Sequence, residues 1–346
     1  MKRHIGLLVV LAIGAIFMSA FGFSMSDTYT RDGRPPRPRN VQLPLADRMG
    51  YTELSERTEG LELRGRIPYL TEACNVADSI NAQIEMAVDS KIAEAREARA
   101  RSITFSYYIF SANNPDITSI VIKSTAASAS SKTDVISINF ESRTGAPMRV
   151  DDVVGVHVVQ LADRLLMETV RRNPQDFNPG FSGMRRNQAF SVTRDEVVFW
   201  FDEFQLRSGS EGVVRFPLRF NDILEYTITS DRFHTRPGFN VMMVPLRDVV
   251  EALGYEVEMD WEGRVVIYHN NERVIRLTPG ENDYSREGRR GGGSRSLESA
   301  PELIGDHTYV PISFFDQILN LVTFSIDNNG NITFASYNVT DSWFRW

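Results

Sequence analysis

The feature that most constrains this chain is an internal duplication. The string Val244-Pro245-Leu246-Arg247-Asp248-Val249-Val250-Glu251-Ala252-Leu253-Gly254 returns as Val310-Pro311-Ile312-Ser313-Phe314-Phe315-Asp316-Gln317-Ile318-Leu319-Asn320. Leu253 and Leu319 stand 66 positions apart, and Asp260 and Gly263 return as Asp327 and Gly330 at an offset of 67. A proline in the first turn has a preset φ and no amide to leave unbonded, so each copy predicts a helix start. Leu246, Val249, Val250 and Leu253 make one apolar face; Ile312, Phe315, Ile318 and Leu319 make the other. Gly254 and Asn320 suit the left-handed residue that ends a helix. Alternation follows each helix, through Tyr255, Val257, Met259 and Trp261 and through Val322, Phe324 and Ile326, with returns at Val265–Tyr268 and Ile332–Phe334 across Gly263 and Gly330. Each unit is a helix on a hairpin, too small to bury its face alone, so the two must share one core. Trp261, ending an alternating strand, is expected inside.

Two V-P-x-x-x-x-x-x-x-L copies make residues 238–336 resemble the copper amine oxidase N-terminal-like domain. The resemblance implies a stalk-type module without copper. In those oxidases the chemistry belongs to a separate domain with three copper-binding histidines and a cofactor tyrosine in an Asn-Tyr-Asp/Glu motif. This chain has no Asn-Tyr pair; its nearest string is Asn282-Asp283-Tyr284. No copper, other cofactor or oxidase activity is expected.

Ahead of the duplication, the pattern reads β, α, βββ, α, βββ. Leu61, Leu63 and Ile67 alternate; Val76, Ile80, Ile84, Val88 and Ile92 recur every four residues; Ile103 to Ile109, Ile117 to Ile122 and Val135 to Phe140 read as strands. A second helix fits Val154, Val158, Leu161, Leu165 and Leu166, and strands follow at Ala189–Thr193, Val197–Phe201 and Val213–Leu218. Trp200, on a strand apolar on both faces, is expected in the core, and Cys74 is expected to be a small buried hydrophobe. Segregated helices and strands predict an α+β class: two α+β domains after an N-terminal signal or anchor helix, the second built from two helix-plus-hairpin repeats.

Three fragments of this region carry a second resemblance. Arg66-Ile67-Pro68-Tyr69 leads into a helix holding Asn81. Ile138-Asn139-Phe140-Glu141-Ser142-Arg143-Thr144-Gly145 precedes Val150-Asp151-Asp152-Val153. The run from Phe190 to Phe201 leads to Gly212-Val213-Val214-Arg215-Phe216-Pro217. Residues 57–225 thus resemble the extracellular domain shared by RsiV-type anti-sigma factors and PdaC-type peptidoglycan deacetylases. The resemblance implies a lysozyme-like protein as one partner. Four residues precede the apolar run described next, too few for the cytoplasmic sigma-binding segment of the RsiV relatives. The deacetylases' separate catalytic domain, with its His-x-x-x-His motif, is not expected either.

Place is legible at the start of the chain. Lys2 and Arg3 precede an uncharged run from Ile5 to Phe23, the pattern of an export signal or a retained anchor. Cleavage before Phe23 or before Asp27 and retention of residues 5–23 in the membrane both put the rest outside the cytoplasm. The expected layout is 1–26 signal or anchor, 27–56 Pro/Arg-rich linker, 57–225 and 238–336 as folded domains, and 337–346 an aromatic tail. A formal net charge of −7 argues against a nucleic-acid partner.

No reaction-bearing motif appears. The five histidines lie more than thirty residues apart, so no local metal pair forms. Asp151-Asp152, Asp195-Glu196 and Asp202-Glu203 sit at helix starts or hairpin turns, where acids are favoured locally. No catalytic residue is assigned. Two contact surfaces are: Arg286, Arg289, Arg290 and Arg295, in a Gly/Arg-rich insertion, for a polyanion, and Trp343, Phe344 and Trp346 as an aromatic patch. The leading expectation is a non-catalytic cell-envelope protein of Gram-positive type that binds or scaffolds at the wall. The alternatives are a sensor or inhibitor of a lysozyme-type protein and a wall-modifying hydrolase.

Overall fold

The computed structural model describes residues 48–71, 74–113, 116–207, 212–287, 293–319 and 321–338. Strands β1 (Met49–Thr58) and β2 (Leu61–Leu70) form a hairpin whose corner, Glu59 and Gly60, takes positive φ at both residues. Helix α1 (Asn75–Glu97) carries the chain to β3 (Ser102–Asn113), which runs parallel to β2; β4 (Asp116–Ala127) and β5 (Ser131–Glu141) follow antiparallel. The sheet order is β1-β2-β3-β4-β5. Ala77, Ile80, Ile84, Val88, Ile92 and Ala95 bury the apolar stripe of α1. Asn81 fastens that helix to the end of β2: its Oδ1 accepts from the Leu70 amide at 2.8 Å and its Nδ2 donates to the Leu70 carbonyl at 3.0 Å. Gly65 has φ +114, and a Cβ there would lie 2.0 Å from the Phe105 carbonyl, so the β2–β3 approach requires glycine.

Short α2 (Val150–Val154) runs into α3 (Val156–Arg172), and β6 (Ala189–Val192), β7 (Glu196–Phe201) and β8 (Val214–Arg219) make a second sheet. The two-sided apolarity of β7 has a direct cause. Val197, Phe199 and Phe201 share a cluster with Leu161 and Leu165 of α3, while Val198 and Trp200 join Val121, Val135 and Phe110 of the first sheet.

The remaining chain is almost all strand: β9 (Ile223–Ile228), β10 (His234–Arg236), β11 (Val241–Pro245), helix α4 (Leu246–Ala252), β12 (Glu256–Met259), β13 (Val265–His269), β14 (Glu272–Leu277), β15 (Tyr284–Arg286), β16 (Gly293–Arg295), β17 (Glu302–Ile304), β18 (His307–Pro311), helix α5 (Ser313–Gln317), β19 (Val322–Ile326) and β20 (Ile332–Tyr337). They form sheets β10-β11-β18-β17, β12-β13-β14-β15-β16 and β19-β20-β9 around a core of Val249, Val250, Leu253, Phe314, Phe315 and Phe334. Both duplicated turns fold alike. Asp260 Oδ1 accepts from the Glu262 and Arg264 amides, and Asp327 Oδ1 from the Asn329 and Asn331 amides, each bond 2.8–2.9 Å, with Gly263 and Gly330 at positive φ.

The expected α+β class is overturned. Among the described residues twenty strands lie in five sheets, and the protein is mostly β. The two repeats do not stand as a pair of helix-on-hairpin units. Their helices span 7 and 5 residues, one hairpin extends into a five-stranded sheet, and the other recruits β9. The physical reason is that strands outside the helix-and-hairpin units pair with them: β9, before the first copy, adds to β20, and β14, between the copies, adds to β13. Three further expectations change. Met49–Thr58, expected at the end of a linker, is a strand. Trp261, expected in the core, is 89% exposed, because β12 ends at Met259 and Asp260 opens the turn. Cys74 is the half-buried N-cap of α1.

The described residues, between 48 and 338, belong to one compact unit. Within it, α3 is stitched to β19 and the end of α5. Thr323 Oγ1 donates to the His157 carbonyl at 2.6 Å, and His157 Nδ1 lies 2.9 Å from Ser325 Oγ. Arg164 Nη1 donates to the Asp316 and Val322 carbonyls at 3.0 and 2.8 Å. No helix among the described residues is long and apolar enough to cross a membrane, and the apolar run at residues 5–23 lies outside them.

Candidate functional site: a cleft on a sheet edge and an arginine strand pair

Strand β5 ends the first sheet, and in an antiparallel ladder every second residue turns its N–H and C=O away from the neighbour. The Ser142 amide bonds the Asp116 carbonyl, which sets the phase: even residues face β4 and odd residues face outward. Most of the outward groups are plugged. Glu203 covers Thr133 twice, its Oε2 accepting from the Thr133 amide at 2.8 Å and its own amide donating to the Thr133 carbonyl at 2.9 Å. Asp202 Oδ1 accepts from the Val135 amide at 2.8 Å. At the other end the Met148 amide bonds the Asn139 carbonyl and the Glu141 amide bonds the Ala146 carbonyl.

Between the plugs lies a cleft of about 520 Å³. Its floor is Ser137, Ile138 and Asn139; Pro147 to Asp151 form one wall, Arg186, Asn187, Gln188 and Phe190 the other, and Gln83 of α1 closes one side. Ser137 Oγ accepts from the Phe190 amide at 3.0 Å and from Asn139 Nδ2 at 3.2 Å. Asn139 is 6% exposed; its Nδ2 also reaches the Phe190 carbonyl, and its Oδ1 has no hydrogen-bond partner among the described residues. Arg149 is held by Asp151 through two bonds of 2.9 and 2.8 Å, and that pairing raises its pKa. Arg186 on the facing wall is exposed and makes no ion pair among the described residues. This cleft has no counterpart among the sites expected from the sequence. Two of the plugs, Asp202 and Glu203, come from about seventy positions away, and only the fold brings them to the edge.

Two of the three carboxylate pairs have a structural occupation. Asp202 and Glu203 plug β5, and Asp202 also pairs with Arg185 at 2.9 Å. Asp151 pairs with Arg149, and Asp152 accepts from the Arg149 amide at the start of α2. Asp195 and Glu196 sit in a turn held by Thr193 Oγ1. Tyr284 is a core strut: its hydroxyl donates to the Ser299 carbonyl at 2.9 Å, and burial pushes its pKa up.

Of the expected arginine contact, the structure places Arg286 on β15 and Arg295 on the paired strand β16; Arg289 and Arg290 lie outside the described residues. Arg286 turns inward, and its Nε and Nη2 donate to the Ile318 carbonyl at 2.9 and 2.6 Å. Burial, then the nearby charge of Arg295, lowers its pKa; Glu168 opposes this and Arg171 adds to it. Arg295 is exposed, with no ion pair among the described residues. Trp343, Phe344 and Trp346 also lie outside the described residues. Trp200 is buried, stacked 6.3 Å from the half-exposed Tyr108 ring, with Lys123 and Arg215 within 5.5 Å of its ring centre.

Residues 239–333 match the family described as copper amine oxidase N-terminal domain. A protease inhibitor from Brevibacillus choshinensis is 32% identical over 82 residues, which make up 24% of this chain and 24% of that protein. The chain thus spans about a quarter of the length of that relative. A solved member of the DUF3298 family from Bacteroides fragilis covers 50% of this chain and 90% of its own at 11% identity and a TM-score of 0.35, too slight a likeness to place the fold. The family matched is the N-terminal domain, not the catalytic one. Copper is the metal its name suggests, yet among the described residues no group of three His, Cys, Asp or Glu side chains gathers, so the residues do not fit such a centre.

Proposed function

We propose that this is a non-catalytic, extracytoplasmic cell-envelope protein that binds or scaffolds at the wall. The observation that carries the reading is where the candidate reactive groups are spent: Asp202 and Glu203 on an edge strand, Asp151 and Asp152 on a helix start, Tyr284 on a core carbonyl. The match of residues 239–333 to a non-catalytic domain type supports it, as does the export-type start of the sequence. Arg295, without an ion pair among the described residues and beside the half-buried Arg286, offers a contact for an anionic wall polymer on a chain that is acidic overall. The test is co-sedimentation of the purified chain with isolated wall sacculi, with and without their anionic polymers. Binding that falls with salt and weakens in Arg295→Glu is expected. Turnover of peptidoglycan fragments by the purified chain, lost on substituting one acid, would overturn the reading in favour of a hydrolase.

A protein ligand is the second reading. Its support is the relative named a protease inhibitor and the resemblance of residues 57–225 to a lysozyme-binding extracellular domain. Retention on immobilised lysozyme above a control domain is the expected result, and equal retention ends it.

A further inference from the structure

We infer that the cleft on β5 takes a short extended peptide segment of a partner protein, paired to the open edge at Ser137 between the plugs, an inference that rests on the non-catalytic binding reading above. Thr133 has both outward groups bonded, the Val135 and Glu141 amides and the Asn139 carbonyl have partners, and the plugs come from Asp202, Glu203, Ala146 and Met148. Ser137 lies midway, on the cleft floor, and neither its amide nor its carbonyl has a partner among the described residues. Edge groups left open in this way are a template for another strand, and proteins normally cover them.

The opposite edge of the sheet shows how this chain guards an open strand. β1 carries Glu53, Glu56 and Arg57 along its flat length, charges that discourage pairing. Charge of that kind is missing from the open part of β5, which reads Ile136-Ser137-Ile138 and is instead recessed between two walls. A recess admits one segment and excludes a second sheet.

The chemistry of the occupant follows. One peptide residue opposite Ser137 exchanges two bonds with it: its N–H to the Ser137 carbonyl, and the Ser137 N–H to its own carbonyl. Asn139 Oδ1, buried without a donor, stands next to this position along the floor. Arg149 is already neutralised by Asp151, which leaves Arg186 as the cleft cation without an acid partner among the described residues. The segment is therefore extended and acidic, with β-branched residues favouring the strand conformation.

The probe is acetyl-Glu-Val-Glu-Val-Glu-Val-amide, added to the full isotope-labelled chain, together with two versions N-methylated at alternate residues, one in each phase. The unmodified peptide is expected to shift the Ser137, Ile138 and Asn139 amides and to slow hydrogen exchange at Ser137. N-methylation in the phase that faces β5 weakens binding about tenfold, and the opposite phase leaves it nearly unchanged. Arg186→Glu, an exposed substitution, weakens the peptide about threefold and flattens the salt dependence. The inference is overturned if no amide of the cleft responds at about 1 mM peptide, a range where even weak sites fill. Equal tolerance of both methylated phases also overturns it. So does displacement of the peptide by chitotetraose, which would make the cleft a glycan site. Failure here with wall binding intact removes this inference alone; peptidoglycan turnover removes the underlying reading as well.

Discussion

Arg164 tests whether the repeat-bearing strands and the first region act as one mechanical unit. The residue sits on α3 and donates from one nitrogen, Nη1, to two main-chain carbonyls, Asp316 at the end of α5 and Val322 at the start of β19. Hydrogen bonds from a charged donor contribute about 1.5–3 kcal/mol each, and the two share one guanidinium, so they do not add fully. The side chain is 31% exposed, so water recovers part of the loss. Arg164→Met, which keeps the apolar stem, is expected to destabilise by about 2–4 kcal/mol. Arg164→Lys retains the charge and a donor nitrogen but not the longer planar head that sets Nη1 between the two carbonyls, and recovers about half of that. The assay is urea unfolding followed by near-ultraviolet circular dichroism at fixed m-value. A second arm uses pH. Asp316 has a raised pKa, chiefly from burial, with Arg164 opposing the rise; removing Arg164 raises it further. A carboxyl whose folded pKa exceeds its unfolded one contributes stability that is present below the unfolded value and lost as pH rises through the folded value. The deficit of Arg164→Met is therefore smaller near pH 4 than at pH 7, and Asp316→Asn in the same background removes the difference. A deficit below about 0.5 kcal/mol, the ordinary range of surface substitutions, would refute the strut.

Three further outcomes follow from particular positions. Gly65→Ala places a Cβ against the Phe105 carbonyl in a left-handed conformation, so it should lose more than about 2 kcal/mol in the same unfolding assay, and retained stability would show that β2 and β3 do not approach as described. Trp261→Ala should change stability by less than about 0.5 kcal/mol, since the side chain stands in solvent at the tip of the β12–β13 turn; a large loss would restore it to the core. Burial pushes Tyr255 up to about 12, outweighing its bond to Ser336. Its neutral form is the folded one, so stability from this site is intact below about pH 10 and is lost as pH rises toward 12, visible as a delayed step in the ultraviolet titration of tyrosine that coincides with unfolding.

How far the fold was legible depended on where each stretch's partners lie. Helix α1 announced itself because one face of four-residue spacing is enough to define a helix, and every stripe residue from Ile80 to Ile92 is buried where the spacing puts it. The duplicated turns were legible for the same reason: Asp260 and Asp327 bond amides two and four residues on, within their own segments. Strand β1 was not legible, because an edge strand guarded by Glu53, Glu56 and Arg57 has no apolar alternation to read. Strands of three residues, such as β10, β16 and β17, are shorter than any period that could reveal them, and their omission is what tilted the expected class toward α+β. The cleft is the extreme case. Asp202 and Glu203 look from the sequence like two acids at a hairpin turn. What they do depends on Val135 and Thr133, which lie 67 and 70 positions earlier. No local pattern encodes that these carboxylates close an edge, and still less that Ser137, four residues along the same strand from Thr133, is left open. The site consists of main-chain groups that every residue possesses, so only the inventory of which ones are already bonded can reveal it.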